Sequence, residues 1–331
     1  NLPLIAAVLI LGQNAVATAL THRLQQHGAT VYLLPTEATE SALETVDSVF
    51  AAAPAPHLFI ATACDENAVT GLDSDTWNSR RERGAMLPYL VAQRWFQHCL
   101  KAGLLDRASI VAATTMGGDF GFSGELKNVE SGALTGLLKG IQLELEIGRN
   151  NKTFQMKLVD VAPTADSDQV AAHLCDEFAA ADGEKEVGYR DGKRFVVRPV
   201  PESAAALPRT DLPSGAPFVI TGGARGVTAV VARELGLRFG LKLHLIGSSP
   251  LPEIADAYHH MTEDELKEVK GSVMKEALAN GEKPADAWAR FEKALEIDKT
   301  LRSFAAEGVH ATYHGCDVSD RTALTKVLEA I

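Results

Sequence analysis

Cysteine is scarce and scattered in this 331-residue chain: Cys64, Cys99, Cys175 and Cys316 form no CxxC and have no histidine at metal-ligand spacing, which argues against a disulfide framework or a zinc site. Positive charge is also short, with 32 Lys and Arg against 43 Asp and Glu, a net charge of −11 and a pI near 5.4. Nucleic-acid binders need a basic face to displace counterions, so a nucleic-acid partner is set aside. No apolar run approaches the roughly 20 residues of a membrane helix. The greasiest, residues 4–11 (LIAAVLIL), lacks a basic leader and predicts a buried strand and no membrane span, while the scattered cysteines fit a reduced, cytoplasmic setting.

What is present is apolar material, 46% of residues, enough for two domains of ordinary size. Strand and helix patterns alternate from the start: strands at 4–11, 30–34, 57–61, 109–114 and 154–161, with helices at 15–27, 41–50, 76–102 and 132–146 between them. Asp191-Gly192 within VGYRDGKRFVVR is the chemistry of a two-residue hairpin turn. Five prolines with Ser, Ala and Gly between 199 and 217 predict an extended connector. The expected division is 1–207, a linker at 208–216, and 217–331. After the linker the βαβ pattern restarts at Phe218, which suggests a degenerate internal duplication. The fold class expected is α/β, two tandem Rossmann-like doubly wound parallel sheets, the first degenerate and the second truncated at its C-terminus.

Residues 251–308 read as a helical insertion. Thr262-x-x-Glu265 is a capping-box pattern, and Trp288, Phe291, Leu295, Leu301 and Phe304 keep one helical face apolar, which predicts core packing rather than a ligand box.

The two halves differ at their first turn after a strand. In the first it is Gly12-Gln13-Asn14-Ala15-Val16-Ala17; a G-x-G-x-x-G fingerprint needs a second glycine where Asn14 stands, so that backbone and pyrophosphate can approach. Where a short-chain reductase would carry Tyr-x-x-x-Lys, residues 118–150 hold Lys127 and Lys139 but no tyrosine, so carbonyl reduction would lack its general acid there. The first half reads as a fold kept for structure. In the second, Thr221-Gly222-Gly223-Ala224-Arg225-Gly226-Val227-Thr228 follows an apolar strand and opens a helix, the context of a turn that cradles a dinucleotide pyrophosphate; Thr228 departs from the third glycine of the pattern.

Cofactor preference follows from the next strand end, Ile246-Gly247-Ser248-Ser249. An NAD enzyme places an acid there to hold the ribose hydroxyls. None is present, and Arg225 can reach a 2′-phosphate with a charge-assisted hydrogen bond, so NADPH is favoured over NADH. Asp317 suits a carboxylate that accepts from the adenine amino group while Val318 flanks the ring; Asp317 reads equally well as a helix N-cap.

On these motifs the chain resembles the ketoreductase region of type I polyketide synthases, which pairs a structural subdomain with a catalytic one. The TGGARGVT turn and the 251–308 insertion are most similar to the ketoreductase of bacterial polyunsaturated fatty acid synthases. The resemblance implies hydride transfer from NADPH to a β-ketoacyl group on the phosphopantetheine of an acyl carrier protein, inside a multidomain synthase. It implies that Thr221 to Val227 hold the pyrophosphate, and Arg225 with Ser248 the 2′-phosphate; such reductases usually carry arginine at the Ser248 position. The family's catalytic Ser, Tyr and Lys or Asn would lie beyond Ile331, so no catalytic residue is assigned, and the fragment is expected to be inactive alone and incomplete as a folding unit.

Two other readings stand beside this one. In the first the chain is a non-catalytic scaffold that docks neighbouring synthase domains. In the second it is a stand-alone short-chain dehydrogenase, set aside on the expectation that the chain has no Tyr-x-x-x-Lys. His259-His260 is expected to be solvated surface, as are Asp182, Glu184 and Glu186 around Lys185.

Overall fold

The computed structural model describes residues 7–64, 73–124, 128–162, 164–203, 212–222, 224–250, 254–259 and 261–331. Gly223, Lys127, His260 and linker residues 208–211 lie outside them. The chain divides into two compact units, Asn1–Pro201 and Glu202–Ile331.

The first unit is built on β1 (Ala7–Leu11), β2 (Thr30–Leu34), β3 (His57–Ile60), β4 (Ser109–Thr114), β5 (Gln155–Val161), β6 (Glu186–Arg190) and β7 (Lys193–Val196). They lie in the order β2-β1-β3-β4-β5-β6-β7, parallel except for the β6–β7 hairpin. At that hairpin Asp191 and Gly192 both have positive φ, 50° and 70°, which the Asp-Gly pair tolerates and a type I′ turn requires. Between the strands run α1 (Ala15–Gln26), α2 (Thr39–Ala52), α3 (Ser74–Arg81), α4 (Leu87–Lys101), α5 (Ser131–Leu143) and α6 (Ser167–Ala179).

Side chains alternate between two cores, as the period of a strand demands. Leu9, Leu11, Leu58, Ile60, Ile110 and Leu158 face α2, α4 and α5. Val8, Ile10, Phe59, Val111 and Val159 face α1 and α6. With both faces covered the strands read as continuous apolar runs. The expected 76–102 helix is α3 and α4 joined by a wide turn at Glu82–Met86; Pro88 has no N–H to donate, and the loosened turn absorbs that loss.

The second unit has a three-stranded parallel sheet, β10 (Ala311–Gly315), β9 (Lys242–Gly247) and β8 (Pro217–Thr221), in that order. Its helices are α7 (Gly226–Phe239), α8 (Glu263–Ala279), α9 (Pro284–Ala306) and α10 (Arg321–Ala330). Leu243 and Leu245 face a core closed by Ala229 and Ala232 of α7 and by Ile297, Leu301 and Phe304 of α9. On the other face His244 stacks on His314, ring centroids 5.4 Å apart, and Val219 is 44% exposed.

Two expectations are corrected. The halves are not copies of one opening. In the first unit α1 and α2 lie on opposite faces, because a right-handed crossover that reverses its direction across the sheet must change face; β3 therefore pairs with β1. In the second unit α7 and α9 share one face, the strands advance in one direction, and β10 pairs with β9. Nor is 251–308 wholly an insertion: α9 is the β9-to-β10 crossover, and only its first turns with α8 project as a hairpin. Trp288 and Phe291 stack at 5.6 Å within that hairpin, with Lys270 of α8 over the indole, while Leu301 and Phe304 serve the sheet. The capping box at Thr262 and Glu265 is formed.

Candidate functional site

Two turns lead from a first strand into a helix N-terminus, where backbone N–H groups lack intrahelical partners. In the first unit Asn14 supplies the missing partner. Its Oδ1 accepts from Ala17 N–H at 2.9 Å, the N-cap bond of α1, and its Nδ2 donates to the Ala61 carbonyl at 2.7 Å. The side chain thus bridges the ends of β1 and β3 at the crevice where the strand order reverses, the point at which open α/β sheets take ligands.

In the second unit the N-cap residue supplies no such cap. Gly222 and Gly226 have φ of 73° and 54°, left-handed values that glycine adopts without a Cβ penalty, and a Cβ on either would meet open space. Gly222 N–H donates to the Ile246 carbonyl at 2.7 Å, fixing the turn over β9. Arg225 is the N-cap of α7 and makes no side-chain cap. Thr221, Arg225 and Val227 are exposed and Ala224 is buried.

The turn is met from α9. Glu296 accepts from Arg225 Nε at 2.6 Å and from Gly226 N–H at 3.3 Å, so an internal carboxylate sits where an external anion would. One turn earlier Lys293 reaches Ser248, Nζ to Oγ 3.2 Å. A groove of about 740 Å³ between α7 and α9 opens beside this pair, lined by Arg225, Arg233, Trp288, Glu296 and Phe304 among others. Sequence reasoning missed both α9 residues, since nothing local marks residues some 45 to 71 positions away from their partners.

At the third strand, Cys316 N–H bonds the Gly247 carbonyl at 2.8 Å and sets Asp317 and exposed Val318 beside the end of β9. The helix N-cap is Asp320, whose carboxylate accepts from Thr322 and Ala323 N–H. Asp317 is therefore not the cap; it accepts from Ser319 N–H and Oγ, and these bonds hold its pKa below the usual carboxylate value. Gly247 leaves room for Tyr313, whose hydroxyl donates to the Ser249 carbonyl at 2.8 Å.

The first unit requires two further corrections. A Tyr-x-x-x-Lys spacing does occur, at Tyr189 and Lys193, but it spans the β6–β7 turn instead of one helix face. Tyr189 donates to Glu177 at 2.6 Å, and burial followed by that carboxylate pushes its pKa up to about 12, the wrong direction for a proton donor near neutrality. The acids around Lys185 are paired rather than merely solvated: Glu184 with Arg198, Lys185 with Glu146, Glu186 with Lys139, and Asp182 with Lys157 and Arg194. Lys157 and Glu177, 7% and 2% exposed, form the buried centre of this network. Among the described residues no cluster of His, Cys, Asp and Glu could hold a metal ion, and no helix is long and apolar enough to cross a membrane.

No protein-family model matches the chain. It is 27% identical over 239 residues to one of the chains of the polyunsaturated fatty acid synthase of Thraustochytrium sp., an alignment covering 67% of this chain and 8% of that protein. Among solved structures, an adenylation, ketoreductase and pseudo-Asub structure from a keto acid-selecting NRPS module matches 99% of the chain at a TM-score of 0.60 and 12% identity, over 25% of its own length. The N-terminal ketoreductase of a macrolactin assembly line matches 98% at 0.58 and 14%, and A-type ketoreductases from a modular polyketide synthase match 99% at 0.55 and 18%. The chain spans 57% of each of these last two. It is thus homologous to a segment of a polyunsaturated fatty acid synthase and has the α/β fold of polyketide synthase ketoreductase regions.

Proposed function

We propose that the second unit binds NADPH as part of a ketoreductase within a multidomain polyunsaturated fatty acid or polyketide synthase. The observation that carries this is the contrast between the two turns: open left-handed glycines at 222 and 226, against Asn14 bonded across the equivalent crevice. The turn suits a diphosphate on two counts. Its glycines leave space for close approach, and it already accepts an anion, the Glu296 carboxylate at Gly226 N–H.

In this reading Thr221, Gly222, Ala224, Arg225, Gly226 and Val227, together with Gly223 outside the described residues, hold the pyrophosphate. Arg225 and Ser248 face the 2′-phosphate, Asp317 accepts from the adenine amino group and Val318 flanks the ring. The bound dinucleotide supplies a hydride to the β-carbonyl carbon of an acyl thioester, leaving a β-hydroxyacyl product once the oxygen is protonated. Neither proton donor nor acyl-binding residue is assigned in this chain. The first unit is structural, an acyl carrier protein presents the β-ketoacyl phosphopantetheine, other synthase domains adjoin, and the setting is cytoplasmic, in keeping with buried, free Cys99, Cys175 and Cys316.

One observation favours a non-catalytic scaffold instead: Glu296 closes on Arg225 and Gly226. Titrating the whole protein with NADPH and a β-ketoacyl thioester separates the two. Oxidation of NADPH with formation of the β-hydroxyacyl product is expected. The scaffold predicts no NADPH binding and undiminished flux through the assembly when Arg225 becomes Ala.

A further inference from the structure

We propose that Lys293, outside the glycine motif, is the second cation of the 2′-phosphate subsite, and that α9 thereby sets nucleotide preference. This rests on the dinucleotide site proposed above and deepens it.

Ser248 is the first residue after β9 and has no positive charge of its own, nor has any residue of the segment Gly247 to Pro250. The charge arrives from α9. Lys293 Nζ lies 3.2 Å from Ser248 Oγ, and Glu296, three residues on, lies on Arg225 and Gly226. Residues three apart share one face of a helix, so a single face of α9 covers both the β9 end and the glycine turn. Its register is fixed by Ile297, Leu301 and Phe304, packed in the core below.

The two cations beside the turn differ in availability. Arg225 is neutralised by Glu296. Among the described residues Lys293 has no carboxylate within ion-pair distance; its contact is a hydroxyl. The ammonium of Lys293, a half-buried residue, next to a serine hydroxyl offers a donor pair to a phosphate, whereas a ribose bearing only hydroxyls gains nothing from the charge. Since a charge-assisted hydrogen bond is about ten- to a hundredfold in affinity, losing Lys293 removes a like factor from 2′-phosphorylated nucleotides alone.

The test is calorimetric titration of the whole protein with adenosine 2′,5′-bisphosphate and with 5′-AMP, which differ only by the 2′-phosphate. Wild type is expected to favour the bisphosphate. Lys293→Ala should weaken the bisphosphate about ten- to a hundredfold and shift 5′-AMP less than about twofold. Lys293→Arg should keep most of the preference, with circular dichroism and melting of both variants checking the fold. Equal losses for both ligands, or no loss for the bisphosphate while wild type binds it, overturn the role of Lys293 and leave the dinucleotide site standing. Failure of wild type to bind either ligand overturns both.

Discussion

Glu296 and Arg225, 71 positions apart, are joined by a 2.6 Å ion pair that also brings the carboxylate to the Gly226 N–H. Both side chains are 42% exposed, and exposed pairs contribute at most about 1 kcal/mol. The contact is thus a weak competitor for the anion position instead of a permanent lock. Glu296→Gln should tighten NADPH binding about fivefold, the equivalent of about 1 kcal/mol, and change the melting temperature little. NADPH fluorescence titration checks this; unchanged or weaker binding would show that the carboxylate does not compete.

Asn14 carries the opposite expectation. Asn14→Ala removes the N-cap of α1, a loss of about 1 kcal/mol, together with the bond to the Ala61 carbonyl. Hydrogen exchange in α1 and β1 should quicken while nucleotide affinity stays unchanged. A fall in affinity would place the nucleotide in the first unit and reverse the assignment of the two halves.

Much of this was legible in residue order. The β-strands were, because runs such as Val8 to Leu11 are buried on both faces and so carry no polar interruptions. The Asp191-Gly192 turn and the Thr262–Glu265 capping box were local chemistry and appear as read. Helix α6 was missed, although Asp166 caps it and Val170, Leu174 and Phe178 line its buried side. The α9 contacts at the glycine turn were invisible for a different reason: they depend on where a 23-residue crossover helix lies along the sheet, which no local pattern specifies. The Tyr189–Lys193 spacing shows the converse, a sequence match that the hairpin turn deprives of meaning.

Lys157 is the residue on which the first unit's edge depends. Its ammonium joins Glu177 on α6 and Asp182, while Arg194 of β7 grips the same two acids. Removing one member of a buried pair leaves an uncompensated charge, costing about 3 kcal/mol or more; Arg194 and Tyr189 still serve Glu177, so Lys157→Ala should fall near that lower figure. Denaturant unfolding followed by exchange at β5, β6 and α6 reads it. A change under about 0.5 kcal/mol, the range of ordinary surface substitutions, would mean that Arg194 alone suffices.

Gly118 and Gly188 approach so closely that a Cβ on either would collide with the other segment's backbone: Gly118 with the Tyr189 carbonyl, Gly188 with the Gly118 carbonyl. Backbone cannot yield as a flexible side-chain end would. Gly188→Ala should therefore cost about 1–3 kcal/mol, whereas Gly148→Ala, facing open space, should be tolerated. Comparable melting temperatures for the two variants would refute the close approach.

Acid should loosen the first unit as its buried histidines are forced to take up protons. Burial lowers the His57 pKa to about 4 from an ordinary 6.5, while Nδ1 sits 2.8 Å from Ser109 Oγ. The folded form then binds fewer protons than the unfolded one, so the contribution is complete above about 6.5 and declines as the pH falls toward 4. Burial lowers His173 in the same direction. Asp182, held down chiefly by Lys157, and Glu177, lowered by Arg194, Tyr189 and Lys157 against the cost of burial, extend the loss below their ordinary values. Asp160 opposes them: burial raises its pKa despite bonds from Phe120 N–H, Thr114 and Met116 N–H, so its share is complete in acid and is lost as pH rises through the folded value. His57→Gln should flatten the slope of stability against pH between 6.5 and 4, what remains of that slope resting on His173 and, with the opposite sign, on Asp160. An unaltered slope in that window would mean that His57 is not the group whose protonation opposes folding.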